Sequence, residues 1–179
     1  GDGIFAIATS GAVTIADATN LDYETTTSYT LTIVAYDATS SDVADITITI
    51  TDVNDAPTVA TAISDASTAE DAAYSLDVSG TCTDVDVGDS LAYTISGGPS
   101  TITISSGTIS GTPVNADVGA HTITVTCTDD SSAAASASDD YVLTVTNTND
   151  GPTLATAIAD TSTDEDAAHS HDISSNFAD

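Results

Sequence analysis

Two short motifs rich in side-chain oxygens occur 95 positions apart in this chain. They read Asn54-Asp55-Ala56-Pro57 and Asn149-Asp150-Gly151-Pro152, and each follows a threonine-rich run. Asp and Asn side chains are the kind of oxygen ligand that a hard cation such as Ca²⁺ takes. The chain has 28 Asp and Glu residues and no Lys or Arg, which gives a formal net charge of −28. Because no Lys or Arg can neutralise these carboxylates, we expect cations to do so.

The charge balance also excludes several classes of function. A nucleic-acid-binding protein needs Lys and Arg to displace counterions from phosphates, and an anionic membrane surface would repel this chain. No apolar run reaches the roughly 18 residues that a membrane-spanning helix needs. We therefore predict neither a nucleic-acid partner nor membrane insertion.

The hydrophobic pattern predicts an all-β fold. Apolar residues alternate with threonine at period two, which is typical of a strand with one buried and one wet face. The runs that show this pattern are Tyr29–Ile33, Ile46–Ile50, Ile102–Ile104, His121–Thr128 and Tyr141–Thr146. Aromatic residues make up only 4% of the chain, so the core should be thin. We expect ions, neighbouring domains and a disulfide to add stability.

An internal repeat indicates how the domains are organised. Residues 53–84 and 148–179 are identical at 19 of 32 positions without a gap. The 95-residue period suits a β-sandwich domain. We predict the C-terminal part of one domain in residues 1–56, a complete domain in 57–151 and the N-terminal strands of a further domain in 152–179. The two Asn-Asp-X-Pro motifs then lie at the joints between domains.

The two cysteines, Cys82 and Cys127, each stand directly before a Thr-Asp pair in a predicted strand. Neither has the CxxC spacing of a zinc or thioredoxin-like site. A disulfide between them would contribute about 4 kcal/mol by restricting the unfolded chain, and it would suit an extracellular compartment. Cys82 aligns with Phe177 in the repeat, which favours a buried position. Two unrelated buried thiols are the alternative.

Several motifs in the first two segments resemble cadherin-type domains. Leu21-Asp22-Tyr23-Glu24, Ala35-Tyr36-Asp37 and Asp52-Val53-Asn54-Asp55-Ala56-Pro57 resemble a cadherin repeat in order and spacing. The middle segment resembles the dystroglycan-type or bacterial cadherin-like module, also known as a putative Ig domain, at Asp84-Val85-Asp86, Leu91-Ala92-Tyr93-Thr94, Gly107–Pro113 and Thr128-Asp129. The resemblance implies tandem Greek-key β-sandwiches of the Ig-like or cadherin-like type in an extended array, with Ca²⁺ at the joints.

The resemblance further implies which residues bind calcium. At the first joint these are Asp22, Glu24, Asp52, Asn54, Asp55, Asp84, Asp86 and Asp129. At the second joint they are Glu70, Asp117, Asn147, Asn149, Asp150 and Asp179. The second linker has Asn147 where the first has Asp52, so we expect weaker binding there. For any single acid, capping a turn is the alternative role.

Other chemistry finds less support in the sequence. His169 and His171 form a pair that could bind zinc, but they replace Tyr74 and Leu76 of the complete repeat, which favours a divergent strand. No G-x-S-x-G motif occurs, and His121 has no obvious nucleophile beside it, so we predict that the protein is not an enzyme. The chain has no N-glycosylation sequon, whereas its exposed Thr and Ser residues could carry O-glycans.

Together these features predict a structural, calcium-binding repeat unit of an extracellular filament or of a surface adhesin stalk. Its partners would be neighbouring copies or repeats of itself. Residues 152–179 of one copy could complete residues 1–56 of the next by strand addition, which would assemble units head to tail. The alternative is an adhesive module for carbohydrate, ice or another cadherin-like domain, which a flat threonine array would favour.

Overall fold

A computed structural model describes residues 3–131 and 134–178 of the chain, and within these ranges it contains strands and short 3₁₀ turns but no α-helix. The strands are β1 (Phe5–Ile7), β2 (Val13–Ile15), β3 (Ser28–Tyr36), β4 (Ser41–Thr49), β5 (Thr58–Val59), β6 (Ala66–Ala69), β7 (Tyr74–Asp77), β8 (Cys82–Thr83), β9 (Ala92–Gly97), β10 (Ile102–Ser105), β11 (Thr108–Gly111), β12 (Gly119–Thr128), β13 (Ser136–Thr146), β14 (Thr153–Leu154) and β15 (Phe177–Ala178). The 3₁₀ turns are Asn115–Asp117 and Ser174–Asn176. The predicted all-β class is confirmed.

The middle of the chain is a sandwich of two sheets. One sheet has four strands in the order β6-β13-β12-β9, and the other has three in the order β10-β11-β7. β6 runs parallel to β13, whereas the other pairs in both sheets are antiparallel. The core lies between the sheets and is built from Tyr74, Ile109, Ile123, Tyr141 and Leu143 with their neighbours.

The alternating pattern explains how the central strands bury one face. In β12, Ile123, Val125 and Cys127 are fully buried, while the threonines between them are half-buried. β3 and β4 also form as predicted and pair with each other from Ser28↔Thr49 to Tyr36↔Ser41. They are far more exposed than the pattern suggests, because no third strand pairs with this ribbon in the described part of the chain.

The two copies of the repeat share part of their local structure. β5 pairs with β8 through Val59↔Cys82, and β14 pairs with β15 through Leu154↔Phe177, which is the same register 95 positions later. Asp71 and Asp166, which are also equivalent in the repeat, both have a φ of 59°. At these positions the repeated sequence gives repeated backbone geometry, whereas the equivalents of β6 and β7, residues 161–164 and 169–172, form no strand.

None of the helical turns in residues 3–131 and 134–178 is long and apolar enough to cross a membrane.

Candidate metal centre

A loop that follows β8 gathers three carboxylates. Asp84 comes directly after the strand, and its Oδ1 accepts a hydrogen bond from the N–H of Asp86 at 3.0 Å. The N–H of Asp89 donates to the carbonyl of Asp86 at 3.3 Å, and Gly88 takes a φ of 113° that suits glycine at the turn. As a result, carboxylate oxygens of Asp84, Asp86 and Asp89 lie within 4.8 Å of one another. We call these three residues the loop cluster.

A second group of carboxylates draws on three separate segments. Oxygens of Glu24, Asp55 and Asp86 also lie within 4.8 Å of one another, and we call these residues the joint cluster. Glu24 precedes β3, Asp55 belongs to the first linker (residues 52–57), and Asp86 belongs to the sandwich. The N–H of Asp55 donates to Asp86 Oδ2 at 2.8 Å, which fixes the linker against the loop. Asp86 belongs to both clusters and so joins them.

Two further predicted ligands lie around the joint cluster. Asp22 accepts hydrogen bonds from the N–H of Glu24 at 3.0 Å and of Thr25 at 3.2 Å, so it holds the turn that carries Glu24. It lines the same surface cavity as Glu24 and Asp55. Asp52 is exposed, and its charge acts on Glu24. Both residues are therefore near the site, although neither belongs to either cluster.

The remaining predicted ligands of the first joint bind each other. Asn54 Nδ2 donates to Asp129 Oδ2 at 3.1 Å. Asp129 is only 4% exposed, and its Oδ1 also accepts hydrogen bonds from Ser131 Oγ at 2.7 Å and from the N–H of Ala135 at 3.2 Å. This carboxylate is therefore fixed in place at the end of β12.

The electrostatics of the site reflect the crowding of negative charge. Burial raises the pKa of Asp89, and the charges of Asp130, Asp86 and Asp84 raise it further. A hydrogen bond from its own N–H lowers the pKa of Glu24, but desolvation and the charges of Asp52 and Asp86 outweigh it, so the net shift is upward. The Ser131 hydroxyl, by contrast, lowers the pKa of Asp129.

Unpaired buried oxygens test whether these residues fit a cation. In the described part of the chain, four buried side-chain oxygens have no hydrogen-bond partner: Asp84 Oδ2, Asp86 Oδ1, Asp89 Oδ2 and Glu70 Oε2. An unpaired buried carboxylate oxygen is costly unless a cation coordinates it. Three of the four belong to the loop cluster, and an all-oxygen set with several carboxylates is what Ca²⁺ takes. The residues present therefore fit calcium.

The second linker (residues 147–152) makes hydrogen bonds to the sandwich that precedes it. Glu70 is 2% exposed, and its Oε1 accepts a hydrogen bond from the N–H of Thr148 at 2.7 Å. Asp150 Oδ2 accepts from Asn115 Nδ2 at 3.3 Å, and Asn149 Nδ2 donates to the carbonyl of Asp150 at 2.8 Å.

The other predicted ligands of the second joint form no three-carboxylate group with Glu70 in the described part of the chain. Asp117 Oδ2 accepts hydrogen bonds from Thr101 Oγ1 at 2.8 Å and from the N–H of Val114 at 3.0 Å, so it holds a turn of its own domain. Asn147 is exposed. Asp179 lies outside the described residues. Within those residues, no group of three carboxylates forms at this linker, and its ligand set stays a prediction.

The predicted disulfide is confirmed, since Cys82 bonds to Cys127 with a Cα–Cα distance of 6.5 Å. Both cysteines are buried, as the alignment of Cys82 with Phe177 suggested. The bond connects β8 to β12, the two strands that lead into the loop cluster and into Asp129. The alternative of two unrelated thiols is therefore wrong.

Asp89 is the site residue that the sequence analysis missed. The signal was present as an extension of Asp84-Val85-Asp86 to Asp-x-Asp-x-x-Asp, with Gly88 allowing the chain to turn back. The histidine pair, in contrast, forms no metal-binding group with other residues of the described chain, and His169 Nε2 lies 3.0 Å from Thr161 Oγ1.

Comparison with known proteins identifies the family. Residues 56–146 match the putative Ig domain family. The chain belongs to this family. The match does not address the dystroglycan-type arrangement, which stays a prediction. No curated protein matches the chain significantly.

Solved cadherin structures share the fold. Protocadherin gamma B2 extracellular cadherin domains 1–5 superpose with a TM-score of 0.67 at 24% identity over 84% of this chain. Mouse cadherin-23 EC22–24 gives 0.61 at 22% identity over 83%, and Drosophila N-cadherin EC1–4 gives 0.62 at 25% identity over 82%. The chain spans 32%, 51% and 39% of those three structures, respectively. These likenesses establish an Ig-like, cadherin-like β-sandwich fold.

Proposed function

We propose that this protein is a structural unit of an extracellular cadherin-like array, in which Ca²⁺ at the first linker holds residues 1–56 and 57–151 in a fixed relation. The joint cluster carries the proposal, because oxygens of Glu24, Asp55 and Asp86 from three segments come within 4.8 Å of one another. The buried disulfide and the extracellular cadherin domains of similar structure support a location outside the cell. In this role the protein is not an enzyme.

The chain's own residues explain why the joint would depend on the ion. Asp86 accepts the N–H of the linker residue Asp55, and Glu24 approaches the same carboxylate from the preceding segment. Without a cation these like charges repel one another, and no Lys or Arg exists to offset them. Bound Ca²⁺ would supply the positive charge that turns this repulsion into attraction. The joint is thus stiff with calcium and flexible without it.

Calorimetric titration with Ca²⁺ tests the proposal directly. We expect the wild-type chain to bind with a dissociation constant of about 10⁻⁴–10⁻³ M, as extracellular calcium modules do. The double variant Asp84→Asn/Asp86→Asn should abolish calcium binding at the first joint, because it removes carboxylates from both clusters. Asp42→Asn is the matched control, since Asp42 is exposed on β4 and belongs to neither cluster. A wild-type chain that binds no calcium, or a double variant that binds normally, would refute the proposal.

Head-to-tail assembly is the finer form of this proposal. In the middle sandwich, Ser67 of β6 pairs in parallel with Thr144 of β13. Thr49 at the end of β4 is the equivalent of Thr144 when the two Asn-Asp motifs are aligned, and Ser162 is the equivalent of Ser67 in the repeat. Ser162 is exposed, as is Thr49. We propose that residues 161–164 of one copy add to β4 of a neighbouring copy in this same register.

Oxidative cross-linking distinguishes this assembly from other arrangements. A mixture of Ser162→Cys and Thr49→Cys chains should form a covalent heterodimer in calcium if the register is correct. Ser162→Cys mixed with Ser10→Cys is the control, because Ser10 precedes β2 and lies outside the proposed pairing. Equal cross-linking in both mixtures, or none in either, would rule out strand addition and leave the calcium proposal untouched.

Adhesion is the second candidate, and the β3–β4 ribbon favours it. Thr30 and Thr47 are exposed and directly opposite each other, and the adjacent pair on the same face is Ser28 with exposed Thr49. This is a small threonine array of the kind that would suit a carbohydrate, ice or another cadherin-like domain, and it would also accept O-glycans. Thr30→Ala/Thr47→Ala should then weaken binding in a glycan-array or ice-affinity assay, and an unchanged result would remove this candidate.

A further inference from the structure

Each cysteine of the disulfide lies the same number of residues before an aspartate of the candidate metal centre. Cys82 lies two residues before Asp84, and Cys127 lies two residues before Asp129. Asp84 opens the loop cluster, whereas Asp129 binds the first linker through Asn54. The covalent bond therefore joins β8 to β12 two residues before each of these carboxylates, near the ends of both strands.

The two strands differ greatly in how firmly the rest of the fold holds them. β12 has ten residues and pairs along its length with β13 and along much of it with β9, so Asp129 extends from the middle of a sheet. β8 has two residues and pairs only with the equally short β5 among the described strands. A two-residue pairing gives little restraint by itself. The loop cluster therefore depends on other links to keep its place.

Those other links are few on the loop itself. Ser90 donates to Asp130 from its N–H at 3.0 Å and from its hydroxyl at 2.6 Å, and Asp55 donates to Asp86. All three are exposed hydrogen bonds to carboxylates, so water competes with them. Cys82 and Cys127 are 5% and 0% exposed, and their bond is the buried link between the two strands.

We propose that the Cys82–Cys127 disulfide is a positioning element for the cation site at the first joint. It fixes the loop cluster relative to Asp129, so the entropy of ordering these ligands is lost during folding rather than during cation binding. Calcium affinity at this joint therefore depends on the disulfide. This inference rests on the proposed function. The repeat offers a contrast, because Phe177 replaces Cys82 at the equivalent position after the second linker.

The main test uses Cys82→Ala/Cys127→Ala and follows calcium binding by NMR at two glycine amides. Gly88 lies between Asp86 and Asp89 in the loop that carries the loop cluster, and Gly151 lies in the second linker. We expect the dissociation constant read at Gly88 to rise about tenfold, a typical size for a coupling between sites, with no change at Gly151. Val125→Ala is the matched control, since it removes a buried side chain from β12 but keeps the disulfide.

The possible outcomes distinguish a failure of the disulfide's proposed role from a failure of calcium binding at the first joint. An unchanged affinity in the double cysteine variant overturns the inference, and so does an equal loss in Val125→Ala, because general destabilisation would then explain the effect. If Gly88 of the wild-type chain does not respond to calcium at all, the proposed function fails first and the inference falls with it.

A second measurement needs no cysteine variant and covers the case in which that variant does not fold. Dithiothreitol transfers two electrons and two protons to the disulfide, which yields two thiols and the cyclic disulfide of the reagent. Because coupling is reciprocal, calcium should lower the equilibrium constant for this reduction by the same factor of about ten. Asp84→Asn/Asp86→Asn should lose that calcium dependence. A wild-type equilibrium that is the same in calcium and in EGTA would overturn the inference.

Discussion

Asn54 in the first linker donates a hydrogen bond to Asp129 at 3.1 Å, although 75 positions separate the two residues in the sequence. The same amide nitrogen also donates to the carbonyl of Asp55 at 2.7 Å. Asn149, its equivalent in the second linker, makes only the corresponding local bond, to the carbonyl of Asp150 at 2.8 Å, in the described part of the chain. The first linker is thus attached to the sandwich that follows it by a side-chain contact between residues far apart in the sequence.

Asn54→Ala should loosen the first linker selectively. The variant loses the hydrogen bond to the buried carboxylate of Asp129, so we expect the thermal midpoint of the 57–151 segment to fall by roughly 2–4 °C. Asn149→Ala is the matched control, because it removes only a local bond, and it should change the midpoint by less. Differential scanning calorimetry in EGTA measures both. Equal effects of the two variants would contradict the assigned role of Asn54.

Glu70→Gln should raise the thermal midpoint without calcium and reduce the further gain that calcium produces. Glu70 is buried, and its Oε2 has no hydrogen-bond partner in the described structure. In EGTA the neutral glutamine removes an unpaired buried charge, so the thermal midpoint should rise by a few degrees. In calcium the variant should show a smaller calcium-induced gain than wild type if Glu70 is a ligand. A midpoint that falls equally under both conditions would mean that Glu70 is only a structural hydrogen-bond acceptor.

Asp89 and Asp129 should titrate on opposite sides of the ordinary Asp pKa of 3.8 in EGTA. Burial raises the pKa of Asp89, so its contribution to stability is present below 3.8 and is lost as the pH rises through the raised pKa. The Ser131 hydroxyl lowers the pKa of Asp129, so its contribution is present above 3.8 and is lost as the pH falls through the lowered pKa.

Carboxyl carbon NMR titration checks both directions in one sample. Calcium should move the apparent pKa of Asp89 downward, because a nearby cation favours the ionised form. If Asp89 titrates at or below 3.8 in EGTA, the expected effect of burial and like charge on its pKa is wrong. If calcium leaves the pKa of Asp89 unchanged, the loop cluster is not the site of binding.

Gly111→Ala should destabilise the sandwich because no space exists for a side chain there. A Cβ at Gly111 would overlap with the backbone carbonyl of Thr101, the residue whose hydroxyl binds Asp117. We expect a loss of about 1–3 kcal/mol in the free energy of unfolding, measured by urea denaturation. Gly80→Ala is the control, since a Cβ there meets nothing within 4 Å, and it should stay within about 0.5 kcal/mol of wild type. A neutral Gly111→Ala would show that the backbone around Thr101 relaxes freely.

Local patterns were enough to predict much of the fold. Threonine alternation identified β3, β4, β10, β12 and β13, because the two-residue period of a strand is written directly into the order of residues. The alternation suggested similar burial for all these strands, and the differences in burial between them could not be predicted from it. β12 is buried and β4 is exposed, although both alternate in the same way, because burial depends on which sheet covers a strand.

The candidate site was predictable in part for a similar reason. The order of the motifs predicted Glu24, Asp55, Asp84 and Asp86 as ligands. All four lie in the two clusters. Asp89 was missed because its proximity to Asp84 results from the turn at Gly88. Asp117 was assigned to the second joint, and its carboxylate accepts hydrogen bonds from Val114 in its own turn and from Thr101 before β10.

The sequence by itself determined the charge, the strand period, the repeat and the pairing partners available to two cysteines. These properties depend on composition and on near neighbours in the chain, and so they survive without any knowledge of the fold. The tertiary structure alone decided which acids meet, because Glu24, Asp55 and Asp86 approach one another only when β8 and the first linker are held against the sandwich. Electrostatic repulsion and cation binding both depend on distances in space, and a sequence records only distances along the chain.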